Sequence, residues 1–179
     1  MSDEVGNPGL IYFAHGKESG PWGSKISRLA QVAQSRGFRV ESPDYSEIGN
    51  PDQRVQKLLS LCDRGLDNLI LVGSSMGGYV ATVASETLAP KGLFLMAPAF
   101  YLKGYAQQNP RPHAALTVIV HGWSDEVIPV QNSISFTQSH QAEIHIIDGD
   151  HRLTAQIPFL EVLFGNFLDR IQLLDGVDE

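Results

Sequence analysis

Cysteine is almost absent from this chain. A single residue, Cys62, among 179 excludes any disulfide within the chain and gives no sign of an oxidising compartment. It stands among Leu58, Leu59 and Leu61 in a helical pattern, where a buried inert thiol is expected. Basic residues are also few. Thirteen Lys and Arg against 20 Asp and Glu leave a formal net charge of −7, which disfavours nucleic acid and anionic membrane surfaces as partners. No apolar run approaches the ~18 residues of a membrane span. The stretch Met1-Ser2-Asp3-Glu4 is acidic and lacks the basic-then-apolar layout of an export signal. Repeats, low-complexity tracts and metal-type clusters are missing too. The expectation is a cytoplasmic protein with no metal and no cofactor, and a single domain over residues 1–179.

What is present is regular alternation. Apolar runs at Leu10–Ala14, Asn68–Val72, Leu93–Ala97 and Leu116–Val120, with the mixed stretches Phe38–Ser42 and Glu143–Ile147, read as strands. Several are apolar at nearly every position, as in a parallel sheet covered on both faces. Helical patterns lie between them. Ser24–Ser35 puts Ile26, Leu29, Ala30 and Ala33 on one face, and Asn50-Pro51 opens a second helix with Asn as cap and Pro at the first position. Further helices are expected over Gly78–Leu88, Pro129–Ser139 and Ile157–Leu174. The fold class is α/β, a mostly parallel twisted sheet with helices on both faces. In such sheets the ligand sits at the carboxyl ends of the strands, and His15, Ser75, Pro98, Asp125 and His151 all fall just after predicted strands.

The stretch Gly73-Ser74-Ser75-Met76-Gly77 lies between an apolar strand and a helix. A strand that turns into a helix within about two residues is strained, and flanking glycines remove the Cβ atoms that would clash. The serine hydroxyl is then exposed near a helix N-terminus, where N–H groups are unpaired. A plain Gly/Ser turn, or one that cradles phosphate, would satisfy the pentapeptide alone. The later chain decides between these readings. A serine needs a base to take its proton and an acid to orient that base. Asp125, in His121-Gly-Trp-Ser-Asp125-Glu-Val-Ile-Pro129, follows a buried strand and precedes a Pro-initiated helix. His151, in Gly149-Asp150-His151, lies in the loop between the last strand and the last helix. Glu126 competes with Asp125 but is expected to point elsewhere. Of the six histidines, His15 and His121 are expected to shape loops, and His140 and His145 to be structural. The stretch Gly16-Lys17-Glu18-Ser19-Gly20 lacks the order of a phosphate loop.

These pieces, with His15-Gly16 after the first strand, resemble the α/β-hydrolases over essentially the whole chain. The stretch His15-Gly-Lys-Glu-Ser-Gly-Pro-Trp-Gly-Ser-Lys25 resembles small bacterial esterase-like members of the YqiA and dienelactone-hydrolase types. The resemblance implies a three-layer fold, with Ser75 as nucleophile, Asp125 as acid and His151 as base. It also implies an oxyanion hole built from the N–H of Met76 and a second N–H from the loop after the first strand, here Lys17. Each such donor contributes about 2.7–4 kcal/mol to the transition state. Family members usually carry a lid, but only Pro98–Ala115 is available here. A shallow, open pocket walled by Trp22, Phe100, Tyr101 and Trp123 is therefore expected, suited to small esters or thioesters.

The implied activity is that of a serine hydrolase acting on a small ester-type substrate through an acyl-enzyme, as a monomer or a homodimer. Phe159 and Val162 widen the apolar face of the last helix and are expected to be buried, with a dimer contact as the alternative. The alternative is a non-catalytic binding protein on the same scaffold. A phosphate-binding flavodoxin-like protein would leave the Asp125 and His151 motifs unexplained.

Overall fold

Each apolar run becomes a strand of one sheet. The computed structural model describes residues 9–63 and 65–174; the acidic stretch from Met1 to Glu4 lies outside the described residues. The elements are β1 (Leu10–Ala14), α1 (Ser24–Gln34), β2 (Arg39–Glu41), α2 (Pro51–Leu61), β3 (Leu69–Ser74), α3 (Met76–Leu88), β4 (Gly92–Met96), β5 (Leu116–Gly122), α4 (Val130–His140), β6 (Glu143–Ile147) and α5 (Ile157–Leu174), with a short 3₁₀ turn (Thr154–Gln156) before α5. All strand pairs are parallel, in the order β2-β1-β3-β4-β5-β6. The direction of winding changes at β1, so the crevice between the ends of β1 and β3 is where such a sheet offers a binding site.

Burial follows this order. Every residue of β3 and β4 is buried, whereas the edge strands β2 and β6 stay partly exposed. Helices α1 and α5 cover one face. There Ile26, Leu29, Ala30 and Ala33 meet Phe13, Phe94, Phe164 and Phe167, with Phe94 5.0 Å from Phe164 in an edge-on contact. Helices α2, α3 and α4 cover the other, around Tyr45, Leu58, Tyr79, Val80, Phe100 and Phe136. The described residues therefore form the three layers of an α/β-hydrolase fold. The expected cap of α2 is present: Asn50 accepts from the N–H of Asp52 at 2.9 Å and of Gln53 at 3.1 Å. Such a cap is worth about 1 kcal/mol.

Several element boundaries shift by one or two residues from the sequence reading. Helix α3 starts at Met76 rather than Gly78, because the Ser75 carbonyl already accepts from the N–H of Gly78 at 2.9 Å. Strand β5 runs on to Gly122, because His121 and Gly122 pair with Ile146 and Ile147 of β6. Between β4 and β5 the chain forms no helix or strand, and among the described residues no helical cap inserted there stands over the sheet edge. Phe159 and Val162 of α5 are exposed rather than buried as expected, because they lie on the side of the helix turned away from the sheet. No helix among the described residues is long and apolar enough to cross a membrane.

Candidate active site

β3 ends at Ser74 and α3 begins at Met76, so Ser75 alone makes the turn. Its backbone lies at φ 55° and ψ −119°, a conformation that costs a residue with a side chain on the order of 1–3 kcal/mol. The neighbours impose it. The Ser75 N–H donates to the Met96 carbonyl at 2.9 Å, and the Ser75 carbonyl accepts from Ala99 N–H at 3.0 Å. The sharp turn presses the start of α3 against β1. A Cβ at Gly77 would overlap the Ala14 carbonyl, and one at Gly78 would come within 2.8 Å of Pro98 Cβ.

The same pattern joins the other two loops. A Cβ at Gly122 would overlap the Gly149 carbonyl, and that carbonyl accepts from Ser124 N–H at 3.0 Å. The loop carrying Asp125 is thereby held against the loop carrying His151. The result is a relay. His151 Nε2 lies 2.9 Å from Ser75 Oγ, and His151 Nδ1 lies 2.7 Å from Asp125 Oδ2. A carboxylate only accepts, so the proton of the neutral imidazole belongs on Nδ1, which leaves Nε2 free to accept from the serine.

Asp125 has no exposed side-chain surface. Burial pushes its carboxyl up. The N–H groups of Ile128 and Val127, each 2.8 Å from Oδ1, and the His151 ring outweigh that, and the net direction is down. Asp125 is therefore a carboxylate at neutral pH. His121, fully buried beside it, donates from Nε2 toward Ile128 O and Asp125 Oδ2, both at 3.0 Å, and its Nδ1 lies 2.7 Å from Ser133 Oγ.

These groups open into a cleft of about 1020 Å³ that Lys17, Ser75, Met76 and His151 help to line. The loop after β1 lies against the serine: a Cβ at Gly16 would sit 3.4 Å from Ser75 Cβ. Its carbonyls are pinned from the other side. The buried Arg54 guanidinium donates to His15 O at 3.0 Å and Gly16 O at 3.3 Å, and His15 Nδ1 lies 2.8 Å from Gly16 O. In a trans peptide the N–H points opposite to the carbonyl, so the Lys17 N–H is turned away from Arg54.

With this geometry in view, the family follows. The family model described as Uncharacterised protein family (UPF0227) matches residues 9–109. The chain belongs to that family. It is an α/β-type hydrolase, and its YqiA-like resemblance holds. A Xanthomonas campestris pv. campestris structure assigned to the alpha/beta hydrolase superfamily is 33% identical, with a TM-score of 0.83 over 92% of this chain and 99% of that one. The fold is shared at 19% identity by XC6422 from Xanthomonas campestris, described as an a/b serine hydrolase without lid. That match has a TM-score of 0.68 and covers 94% of this chain and 85% of the other. A 60-residue stretch is 38% identical to a Vibrio anguillarum protein named as a probable anguibactin biosynthesis thioesterase, AngT. It spans 34% of this chain and only 24% of that relative's length.

The hydrolase brings Ser75, Asp125 and His151 together, with Met76 and Lys17 at the same cleft. The four aromatic residues expected to wall the pocket do not line it. Phe100 is fully buried and stacks on Phe136 at 4.1 Å, because its backbone leaves β4 toward the α4 side of the sheet. Tyr101 packs beside it at the edge of that core. Trp22 and Trp123 are 52% and 62% exposed. The apolar wall comes instead from Ile26, Leu102, Tyr105, Val127 and Ile128. Two charged residues escaped the sequence reading, Arg54 and Lys25. Arg54 stands four positions before Leu58 on the inward row of α2, and that spacing was the signal for it. Lys25 carries no such periodic signal.

His15 and His121 shape loops, as expected, and both are neutral. His15 accepts from Tyr45 N–H on Nε2 at 2.9 Å, a bond that a proton on Nε2 would break. Burial pulls both pKa values below the ordinary 6.5, as it does for His140. The folded chain then binds these protons less readily than the unfolded one. Their contribution to stability is complete above about pH 6.5 and is lost as pH falls through the folded values. The urea midpoint is therefore expected to drop between pH 7.5 and 5, before most carboxylates titrate. A flat midpoint over that range would contradict the neutral assignments.

Proposed function

We propose that this protein is a serine hydrolase that cleaves small carboxylic esters through an acyl-enzyme on Ser75. The observation that carries the reading is the relay from Ser75 Oγ to His151 Nε2 at 2.9 Å and from His151 Nδ1 to Asp125 Oδ2 at 2.7 Å. Ser75 Oγ attacks the carbonyl carbon while His151 Nε2 takes its proton. Asp125 holds the ring in the accepting tautomer and stabilises the imidazolium that forms. The carbonyl oxygen becomes an oxyanion, stabilised by the N–H groups of Met76 and Lys17. Met76 is the first residue of α3, whose leading N–H groups have no acceptor within the helix. His151 returns the proton to the leaving alcohol as the tetrahedral intermediate collapses to the acyl-enzyme. Water then enters and attacks the acyl carbon while His151 takes its proton. As the second tetrahedral intermediate collapses, His151 gives that proton to Ser75 Oγ, releasing the acid and the free serine.

A thioester is the second candidate substrate, favoured by the stretch shared with the thioesterase AngT. The same machinery serves both, because a thiolate leaves more readily than an alkoxide. The absence of any helix or strand between β4 and β5 leaves the cleft uncapped, which suits small substrates in either case.

The test is covalent labelling. A fluorophosphonate is expected to add once, to the peptide containing Ser75, and to leave Ser75→Ala unmodified, as read by mass spectrometry. Folded wild-type protein that takes no label, or takes it elsewhere, would favour a binding protein on this scaffold.

A further inference from the structure

The cleft holds a cation that the relay does not use. Lys25 is the second residue of α1, half-buried, and its Nζ donates to Ser74 Oγ at 3.1 Å. The start of α1 does not favour a lysine there. The N-terminal turn of a helix is its positive end, and α1 has no acidic residue in that turn. Among the described residues no carboxylate lies within ion-pair distance of Lys25, although Arg28, Arg36 and Arg170 on the outer surface each have one. Burial pulls the Lys25 amine down to about 8, with Asp150 and Asp125 acting weakly the other way. The group thus stays mostly charged at neutral pH, while its only hydrogen-bond partner among the described residues is a neutral hydroxyl.

That hydroxyl completes a site. Ser74 Oγ accepts from Lys25, so its own proton is free to turn into the cleft, which both residues line. An ammonium and a hydroxyl 3.1 Å apart present two adjacent donors, the spacing that the two oxygens of one carboxylate accept. Ser74 is also the immediate neighbour of Ser75. The acids that line the cleft, Glu18, Glu126 and Asp150, are exposed, and none of them forms an ion pair with Lys25.

We propose that Lys25 and Ser74 form a carboxylate-binding subsite, and that the substrate is an ester or thioester carrying a free carboxylate beside the bond to be cleaved. The proposal rests on Ser75 as the nucleophile. It makes Lys25 a specificity-determining residue that binds a non-reacting part of the substrate.

The experiment compares charged and neutral substrates of matched length. The 4-nitrophenyl monoesters of succinate, glutarate and adipate are assayed against the corresponding neutral alkanoate esters. At least one monoester is expected to exceed its neutral partner in kcat/KM by about tenfold or more, the scale of one charge-assisted hydrogen bond. In Lys25→Met that ratio is expected to collapse toward one, whatever happens to the absolute rates. A second readout needs no turnover. Ser75→Ala is titrated calorimetrically with the monomethyl and dimethyl esters of the same acids. The monomethyl ester is expected to bind about tenfold or more tightly, and Ser75→Ala/Lys25→Met to lose the difference. Equal rates and equal binding for charged and neutral partners would overturn the subsite while leaving ester turnover at Ser75 intact. Preferential binding of the monomethyl ester without turnover of any ester would keep the subsite and overturn the catalytic reading.

Discussion

Asp125→Asn is expected to lower kcat for 4-nitrophenyl acetate by about four orders of magnitude with the fold intact. The size of the loss follows from which atom changes. Oδ1 of Asp125 accepts two backbone N–H groups, from Val127 and Ile128, and an asparagine oxygen keeps both bonds. The asparagine nitrogen then takes the place of Oδ2, facing His151 Nδ1 and, on its other side, His121 Nε2, which keeps its bond to Ile128 O. Two donors cannot share the contact with His151, so Nδ1 becomes the acceptor and the ring proton moves to Nε2. Nε2 now points an N–H at Ser75 Oγ and has no lone pair left to take the serine proton. Binding of the ester is little affected, because Asp125 is buried behind His151. The change should therefore appear in kcat and not in KM. Steady-state kinetics with circular dichroism on the same sample checks this. A loss smaller than tenfold in a folded variant would remove Asp125 from the mechanism.

Much of this site was legible in the sequence because each part is tied to a local constraint. Strand ends are marked by a switch from apolar residues to Gly, Ser, Asp or Pro, and the ligand edge of a parallel sheet collects those positions. Ser75, Asp125 and His151 could therefore be placed at one edge of the sheet from the sequence alone. The elements were readable for similar reasons: the α1 face of Ile26, Leu29, Ala30 and Ala33 and the Asn50 cap depend only on neighbours in sequence. The failures depend on what packs from elsewhere. Phe100 follows β4 directly, as a pocket residue would, but its ring is captured by Phe136 from a helix 30 residues on. No local pattern reports that contact. Charges behaved the same way. A lysine beside Gly-Ser reads as solvated until the sheet end, with Ser74 on it, is placed under its amine.

Gly77→Ala is expected to destabilise the protein by about 3 kcal/mol or more, lowering Tm by roughly 10 °C. Alanine is the better helix former, so propensity alone predicts a gain inside α3. Packing reverses the sign. The added methyl would overlap the Ala14 carbonyl at the end of β1, and backbone on both sides leaves no flexible side chain to yield. Relief requires α3 to lift off β1. That motion pulls against the bonds that hold Ser75 in its strained turn, those to Met96, Gly78 and Ala99. Stability and activity should therefore fall together, since the shift that accommodates the methyl also moves the hydroxyl. Gly20→Ala supplies the contrast: a Cβ there meets nothing within 4 Å, so its Tm should stay within a few degrees of wild type. If Gly77→Ala melted as Gly20→Ala does, close packing of α3 on β1 would not be what holds the serine in its turn.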